Sequence, residues 1–318
     1  MDDAAFLADL GPTVERLFER HVATSKEWFP HQLVPWSQGE DFADDWTWDE
    51  DASPLPKPVR SALFVNLLTE DNLPYYFATI SRVFGAGGAW GEWSRRWTAE
   101  EHRHSIVIRD WLTVTRAIDP VALERARMRQ VSGGQVPEPQ SVADGMVYVA
   151  LQELATRISH RNTGKLLDGE HAHGYQVMAR VAADENLHYL FYKDLCAAAI
   201  EVDPSTMVEA IDRQVSEFEM PGTGIPGFVR HAAAIAKAGI YDVAVHHDGI
   251  LVPVVLRQWG LESLTGLTPA AERARDRTLA TMAELNAMAR KHEAKREAKR
   301  GGGGGGDASV DSLEAAAR

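Results

Sequence analysis

The chain has 318 residues, enough to bury a sizeable core in one large or two ordinary domains, and its 45% hydrophobic and 25% charged content is that of a globular protein. A formal net charge of −13 argues against nucleic acid as a partner, no apolar run approaches the length of a bilayer span, and Met1-Asp2-Asp3 lacks the basic-then-apolar order of a signal peptide. A single cysteine, Cys196, excludes an intrachain disulfide framework and leads us to expect a cytoplasmic protein with that thiol buried and inert.

Residues 4–24 carry apolar residues at helical spacing (Leu7, Leu10, Val14, Leu17, Phe18), which predicts an amphipathic helix. Residues 26–57 look irregular, with prolines at 30, 35, 54 and 56 and tryptophans at 28, 36, 46 and 48. Seven of the twelve residues from Glu40 to Asp51 are acidic, so a solvated loop pinned to the body by its tryptophans is expected. Helical periodicity resumes from Pro58 to about Val83. Pro74 removes the amide that would bond the Glu70 carbonyl, so a kink is expected there.

The glycine-rich turn from Gly85 to Gly91 has no strand before it, which leaves a phosphate-binding loop without support. A long helix then runs to about Ile118. Asp119-Pro120 closes it and opens another, which stops at Gly133-Gly134. Ser141, with Asp144 three residues on, resembles a capping box for the helix carrying Glu153. Tyr175 to Val202 reads as the fourth long helix, and Asp203-Pro204 repeats the stop and start. His171 and His173 read as exposed loop residues, and His246-His247 as surface or satisfied core. Helical patterns continue to about Trp259. A charged, alanine-rich helix is expected over 269–300, then a glycine linker and tail over 301–318. No segment alternates as a strand does, so the fold class is all-α.

The chemistry lies in two repeated patterns. Glu101/His104 and Glu185/His188 are Glu-x-x-His pairs, and residues three apart share a helix face, so carboxylate and imidazole can reach one ion. One such pair alone is weak evidence. Each is preceded, 31 and 32 residues earlier, by a glutamate in an apolar setting, Glu70 and Glu153. Glu70 falls among Leu63, Leu67, Leu73 and Phe77, where an unpaired carboxylate would be costly. One Glu from each of two helices plus a Glu-x-x-His from each of two others is the donor set of di-iron carboxylate bundles. Hard oxygen donors with one imidazole per ion suit iron or manganese better than zinc. Such a pair can bind and reduce O2 and so remove hydrogen from an unactivated C–H bond, which no side chain does alone.

Four segments carry a more specific resemblance: Thr69-Glu-Asp-Asn-Leu-Pro-Tyr75, Trp97-Thr-Ala-Glu-Glu-His-Arg-His104, Gln152-Glu-Leu-Ala-Thr-Arg-Ile-Ser-His-Arg-Asn-Thr163 and Ala182-Ala-Asp-Glu-Asn-Leu-His188. In order and spacing, from about residue 10 to 265, they are similar to the soluble acyl-acyl-carrier-protein desaturases, the plant stearoyl enzymes and more closely the actinobacterial members. The resemblance implies a ferritin-like bundle over 1–268, including the irregular 26–57 segment, and a homodimer. It implies two irons held by Glu70, Glu101, His104, Glu153, Glu185 and His188. It also implies a threonine beside the O2 position (Thr156) and a chain from Trp28 through Asp184 that orients His104. A carrier-bound fatty acyl chain would be the substrate, and a ferredoxin-like protein the electron donor. The sequence shows no flavin or nicotinamide fingerprint and no cysteine set for an iron–sulfur cluster.

Alternatives remain open at this point: another di-iron oxidase or hydroxylase, an acyl-coenzyme A desaturase, a radical-bearing reductase subunit, or a metal-free bundle. An acidic carrier would need a locally basic patch on this acidic chain. Candidates are Arg125/Arg127/Arg129, Arg157/Arg161/Lys165, and the Lys291–Arg300 segment.

Overall fold

The computed structural model describes residues 2–301 except 168 and 170, and apart from the irregular segment between the first two helices most connections are short. The helices are α1 (Asp3–Thr24), α2 (Lys57–Glu70), α3 (Leu73–Phe84), α4 (Gly88–Val114), α5 (Pro120–Gly133), α6 (Val142–Lys165), α7 (Ala172–Val202), α8 (Pro204–Ser216), α9 (Phe228–Lys237), α10 (Val243–His246) and α11 (Pro269–Gly301). A π-helical stretch, His247–Gln258, continues α10. No strand occurs among the described residues, as an all-α fold requires. No helix among them is long and apolar enough to cross a membrane.

α6 lies at the centre. Every residue from Val142 to Thr156 is buried, so this part of the helix has no solvent face and packs on all sides. Its most extensive neighbour is α7, with α2, α3, α8 and the π-helical stretch around it. α4 packs on α2, α3 and α7, and α1 lies across α4 and α7. The backbones come close where glycine allows it. A Cβ on Gly174 of α7 would stand 2.3 Å from the Trp111 ring of α4, and one on Gly249 would meet Ile158 of α6 at 3.2 Å.

Three boundaries differ from expectation. The helix expected over 58–83 is two helices, not one kinked helix. α2 ends on Glu70, and Pro74 sits in the first turn of α3, where its lack of an N–H is harmless. Asp71 at the break is anchored by a two-pronged bond from Arg127 of α5 (2.6 and 3.0 Å). α4 stops at Val114 instead of Ile118. Arg116 adopts φ 51°, while Ala117 N–H bonds the Leu112 carbonyl (3.0 Å) and Arg116 N–H that of Thr113 (3.1 Å). This is the left-handed stop that glycine usually provides. The Arg116 guanidinium compensates by binding the carbonyls of Glu40 and Asp41 and lying over Phe42 and Trp46.

The box at Ser141 is half made. Its hydroxyl accepts from the Asp144 amide, but Asp144 does not reach back to the Ser141 amide. It is fully buried and takes Arg213 and Gln214 of α8 instead. Of the tryptophans expected to pin the irregular segment, Trp28 is buried, Trp46 and Trp48 are half-buried and Trp36 is exposed. Cys196 is buried. His246 bonds the Tyr241 hydroxyl (2.9 Å) and His247 the Asp248 carboxylate (2.7 Å), the satisfied-core reading. Residues 302–318, most of the expected linker and tail, lie outside the described residues.

Candidate metal centre

The bundle brings all six candidate ligands to one place. Glu70 is the last residue of α2, and the break after it leaves its side chain at the bundle axis. Glu101 and His104 lie mid-way along α4, Glu153 on α6, and Glu185 with His188 on α7. All six are buried. They form two overlapping groups, Glu70/Glu101/His104/Glu185 and Glu101/Glu153/Glu185/His188, whose ligand atoms lie within 4.8 Å of one another.

The atoms show how the groups share donors. His104 Nδ1 faces Glu70 Oε2 (3.6 Å), Glu101 Oε2 (3.3 Å) and Glu185 Oε1 (3.6 Å). His188 Nδ1 faces Glu153 Oε2 (3.6 Å), Glu101 Oε1 (2.7 Å) and Glu185 Oε2 (4.0 Å). Glu101 and Glu185 therefore offer one oxygen to each half, while Glu70 and Glu153 serve one half each. The six side chains thus form two adjacent donor groups with two carboxylates common to both.

The outer contacts are crossed. Asp184 of α7 meets His104 of α4: Asp184 Oδ2 lies 3.5 Å from His104 Nε2 and accepts from Trp28 Nε1 (2.7 Å) and Arg103 (3.2 Å), and Oδ1 takes Arg180. The Trp28 and His104 rings are parallel at 6.5 Å. Trp28, Asp184 and His104 thus lie in a row, indole to carboxylate to imidazole. Glu100 of α4 meets His188 of α7: Glu100 Oε2 lies 3.0 Å from His188 Nε2 and 2.8 Å from His21 Nε2, and Oε1 accepts from Arg96 (2.7 Å). Thr156 lies one turn beyond Glu153, buried, with its hydroxyl bonded to the carbonyls of Gln152 (3.2 Å) and Glu153 (3.1 Å).

Burial opposes every charge here, and the neighbours decide the outcome. It drives the histidines toward neutrality, but the Glu101 charge and the facing carboxylates of Asp184, Glu101 and Glu70 raise His104 well above the ordinary histidine range. The Glu101 charge, the hydrogen bond to Glu100 and the facing carboxylates of Glu101 and Glu153 do the same for His188. Burial pushes Glu153 well up, and the Glu185 charge adds to it. Burial also pushes Glu70 up, yet the facing His104 imidazole and the His160 hydrogen bond outweigh it and hold Glu70 below the usual range. The bonds to Asp184 overcome its burial and lower it to about 2.

The donor set fits a pair of ions. Glu101 Oε1, Glu153 Oε2, Glu185 Oε2 and the Nδ1 atoms of both histidines are buried without a well-directed hydrogen bond. Burying an ion uncompensated costs on the order of several kcal/mol, so orphaned donors converging on one point call for cations. Carboxylates plus one imidazole per position suit iron or manganese.

Four buried residues around the ligands were not foreseen. Trp97 Nε1 donates to Glu153 Oε1 (2.9 Å). His160 Nε2 lies 3.1 Å from Glu70 Oε1 and 3.5 Å from Glu185 Oε1, with Asn66 at its Nδ1 (3.3 Å). Glu100 and His21 complete the set. A signal existed for two of them. Glu100 precedes Glu101 as Asp184 precedes Glu185, and His160 stands two turns beyond Glu153 on one face. His21 is far from every motif.

The fatty acid desaturase family matches residues 2–302, and the chain belongs to it. DesA1 of Mycobacterium tuberculosis, a proposed acyl-[acyl-carrier-protein] desaturase, is 40% identical, with 93% of this chain and 90% of that protein covered. The chloroplastic acyl-[acyl-carrier-protein] desaturase 6 of japonica rice is 34% identical over 71% of this chain and 58% of its own length. The X-ray structure of M. tuberculosis DesA2, a proposed acyl-ACP desaturase, superposes with a TM-score of 0.68 at 29% identity, covering 85% of this chain and 99% of that one.

Proposed function

We propose that the protein is an O2-dependent desaturase that introduces a cis double bond into a long-chain fatty acyl group carried on acyl carrier protein. The observation that carries this reading is the convergence of buried carboxylate oxygens and imidazole Nδ1 atoms, without well-directed hydrogen bonds, from Glu101, Glu153, Glu185, His104 and His188. Glu70 completes the six ligands. Two irons held there supply the oxidising power to remove hydrogen from an unactivated C–H bond with O2.

The reaction balances as one CH2–CH2 unit plus O2, two electrons and two protons giving CH=CH and two waters. One cysteine and no nucleotide-binding fingerprint leave the electrons to an external, ferredoxin-like donor. Trp28 and Asp184 hold His104 with Nδ1 inward, and Thr156 places a hydroxyl one turn from Glu153. A small cleft is lined by Tyr76, Ile80, Val83, Phe84, Tyr148 and Val149 together with Glu138 and Gln214, and Val149 lies one turn before Glu153 on α6. Its mostly apolar walls suit an acyl chain.

The homodimer is part of the proposal. So is carrier docking on a basic patch, for which the candidates narrow. Arg127 is tied to Asp71 and Glu124, Arg296 is paired with Asp242, and burial lowers the pKa of half-buried Arg157. Arg125 and Arg129 are exposed on α5 beside the exposed Met128, which suits an acidic partner with apolar contacts. The test is product analysis by mass spectrometry, using iron-loaded protein, acyl-carrier-protein thioesters, O2 and a reducing system. A product short of two hydrogens is expected. Unaltered acyl chains across a range of lengths would refute the reading.

A further inference from the structure

We infer that Glu100 and His21 are positioning residues for His188, fixing its imidazole with the proton on Nε2 and Nδ1 turned into the metal centre. The inference rests on reading the two half-sites as a two-metal centre and adds residues that the donor pattern does not contain. Both motifs have an acidic residue immediately before the bridging glutamate, Glu100-Glu101 on α4 and Asp184-Glu185 on α7. Each outer acid crosses the bundle to the histidine of the other motif, Asp184 to His104 and Glu100 to His188.

Glu100 is the better placed of the two. It is buried, with donors at 3.0 Å (His188), 2.8 Å (His21) and 2.7 Å (Arg96). A carboxylate ringed by donors offers only lone pairs, so the His188 proton in that contact sits on Nε2. Nδ1 is then the atom left for a metal, and it is the one facing Glu101, Glu153 and Glu185. Histidine ligands are commonly fixed this way by an acid on the other ring nitrogen.

His21 holds Glu100 in turn. It comes from α1, outside the ligand-bearing helices, and is buried. Its ring stacks on His188 (5.8 Å, 23°) and meets Trp93 edge-on (5.0 Å, 81°). With Nε2 bonded to Glu100, it closes the outer side of the carboxylate as Trp28 closes that of Asp184.

Anaerobic titration of the metal-free protein with Fe(II), followed by calorimetry, tests this. The wild type should take up two equivalents. Glu100→Ala should weaken one of them by about 10–100-fold and spare the other, the usual cost of removing an outer partner of a ligand. His21→Phe should weaken the same equivalent by about tenfold, and His21→Gln, whose amide can still donate to Glu100, should restore most of it. In protein loaded with diamagnetic Zn(II), the His188 Nε2–H resonance should exchange slowly in wild type and rapidly in Glu100→Ala. Wild-type affinity for both equivalents in both disruptive variants would overturn the inference, as would equal weakening of both equivalents, the mark of general damage to the fold. A wild type that binds no Fe(II) would instead overturn the two-metal reading beneath it.

Discussion

On the His104 side of the centre, Asp184 is met by the indole of Trp28 and by Arg103 and Arg180, and His160 adds a bond to Glu70. On the His188 side, Glu100 is met by His21 and Arg96, and Trp97 adds a bond to Glu153. The inner donors match in type and number, whereas the surroundings do not. The inner set comes from a motif repeated along the chain, once on α2 and α4 and once on α6 and α7. The outer partners His21 and Trp28 come from the end of α1 and the segment after it, which clamp across both halves at once. Electrostatics follow the same division. Two histidines hold the carboxyl of Glu70 low, while burial and Glu185 hold that of Glu153 high. A matched set of inner donors thus sits in an asymmetric field.

The largest effect should come from breaking what the halves share. Glu101→Ala removes an oxygen from both positions, so metal content should fall by at least one ion per chain and activity by at least about 100-fold, with circular dichroism unchanged. Glu70→Ala should touch only the His104 half. Metal analysis of the two variants separates these cases, and equal losses in both would mean that Glu101 does not bridge. Next in size is Trp28→Phe, which removes the 2.7 Å bond to Asp184. It should weaken one metal equivalent about tenfold. That equivalent should be the one unaffected by Glu100→Ala.

How much of this was legible in the sequence depended on where a residue's partners lie. The six candidate ligands share two short patterns with regular spacing, and Trp28 and Asp184 followed from a family resemblance. The end of α2 at Glu70 was foreshadowed by Pro74, because a missing N–H is a local fact. His21 was not legible, since its role depends on α1 lying across α4 and α7, and nothing near it in sequence encodes that. Arg116 was hidden for a different reason. A non-glycine residue at φ 51° is costly alone and is held by carbonyls of the 40–41 segment and rings of Phe42 and Trp46. The basic residues misled where they were structural. Arg127 looks like a docking charge in sequence, yet it is an anchor for Asp71 in the fold.

A smaller effect should sharpen the electrostatic contrast. Burial disfavours the charged form of His160, but hydrogen bonds to Glu185 and Glu70 raise it from 6.5 to about 9 in the metal-free protein. The folded state thus binds this proton more tightly than the unfolded state does. The resulting stabilisation is complete below about pH 6.5 and is lost as pH rises through about 9. Tm of the metal-free protein should fall across that window, and His160→Gln should flatten the fall. A Tm that rises between those pH values would contradict the assignment.

The smallest change is expected from Thr156→Val. It removes a hydroxyl at nearly constant volume, so metal content should stay at wild type while product formed per O2 consumed falls a few-fold, on the order of what losing one hydrogen bond implies. An unchanged ratio would take Thr156 out of the account.

The bridged pair of positions is tested most directly by anomalous diffraction at the iron edge from crystals grown with Fe(II). The account predicts two peaks per chain. One should lie against Glu70 and His104 Nδ1, the other against Glu153 and His188 Nδ1, with Glu101 and Glu185 between them. A single peak, or peaks away from these six side chains, would contradict it.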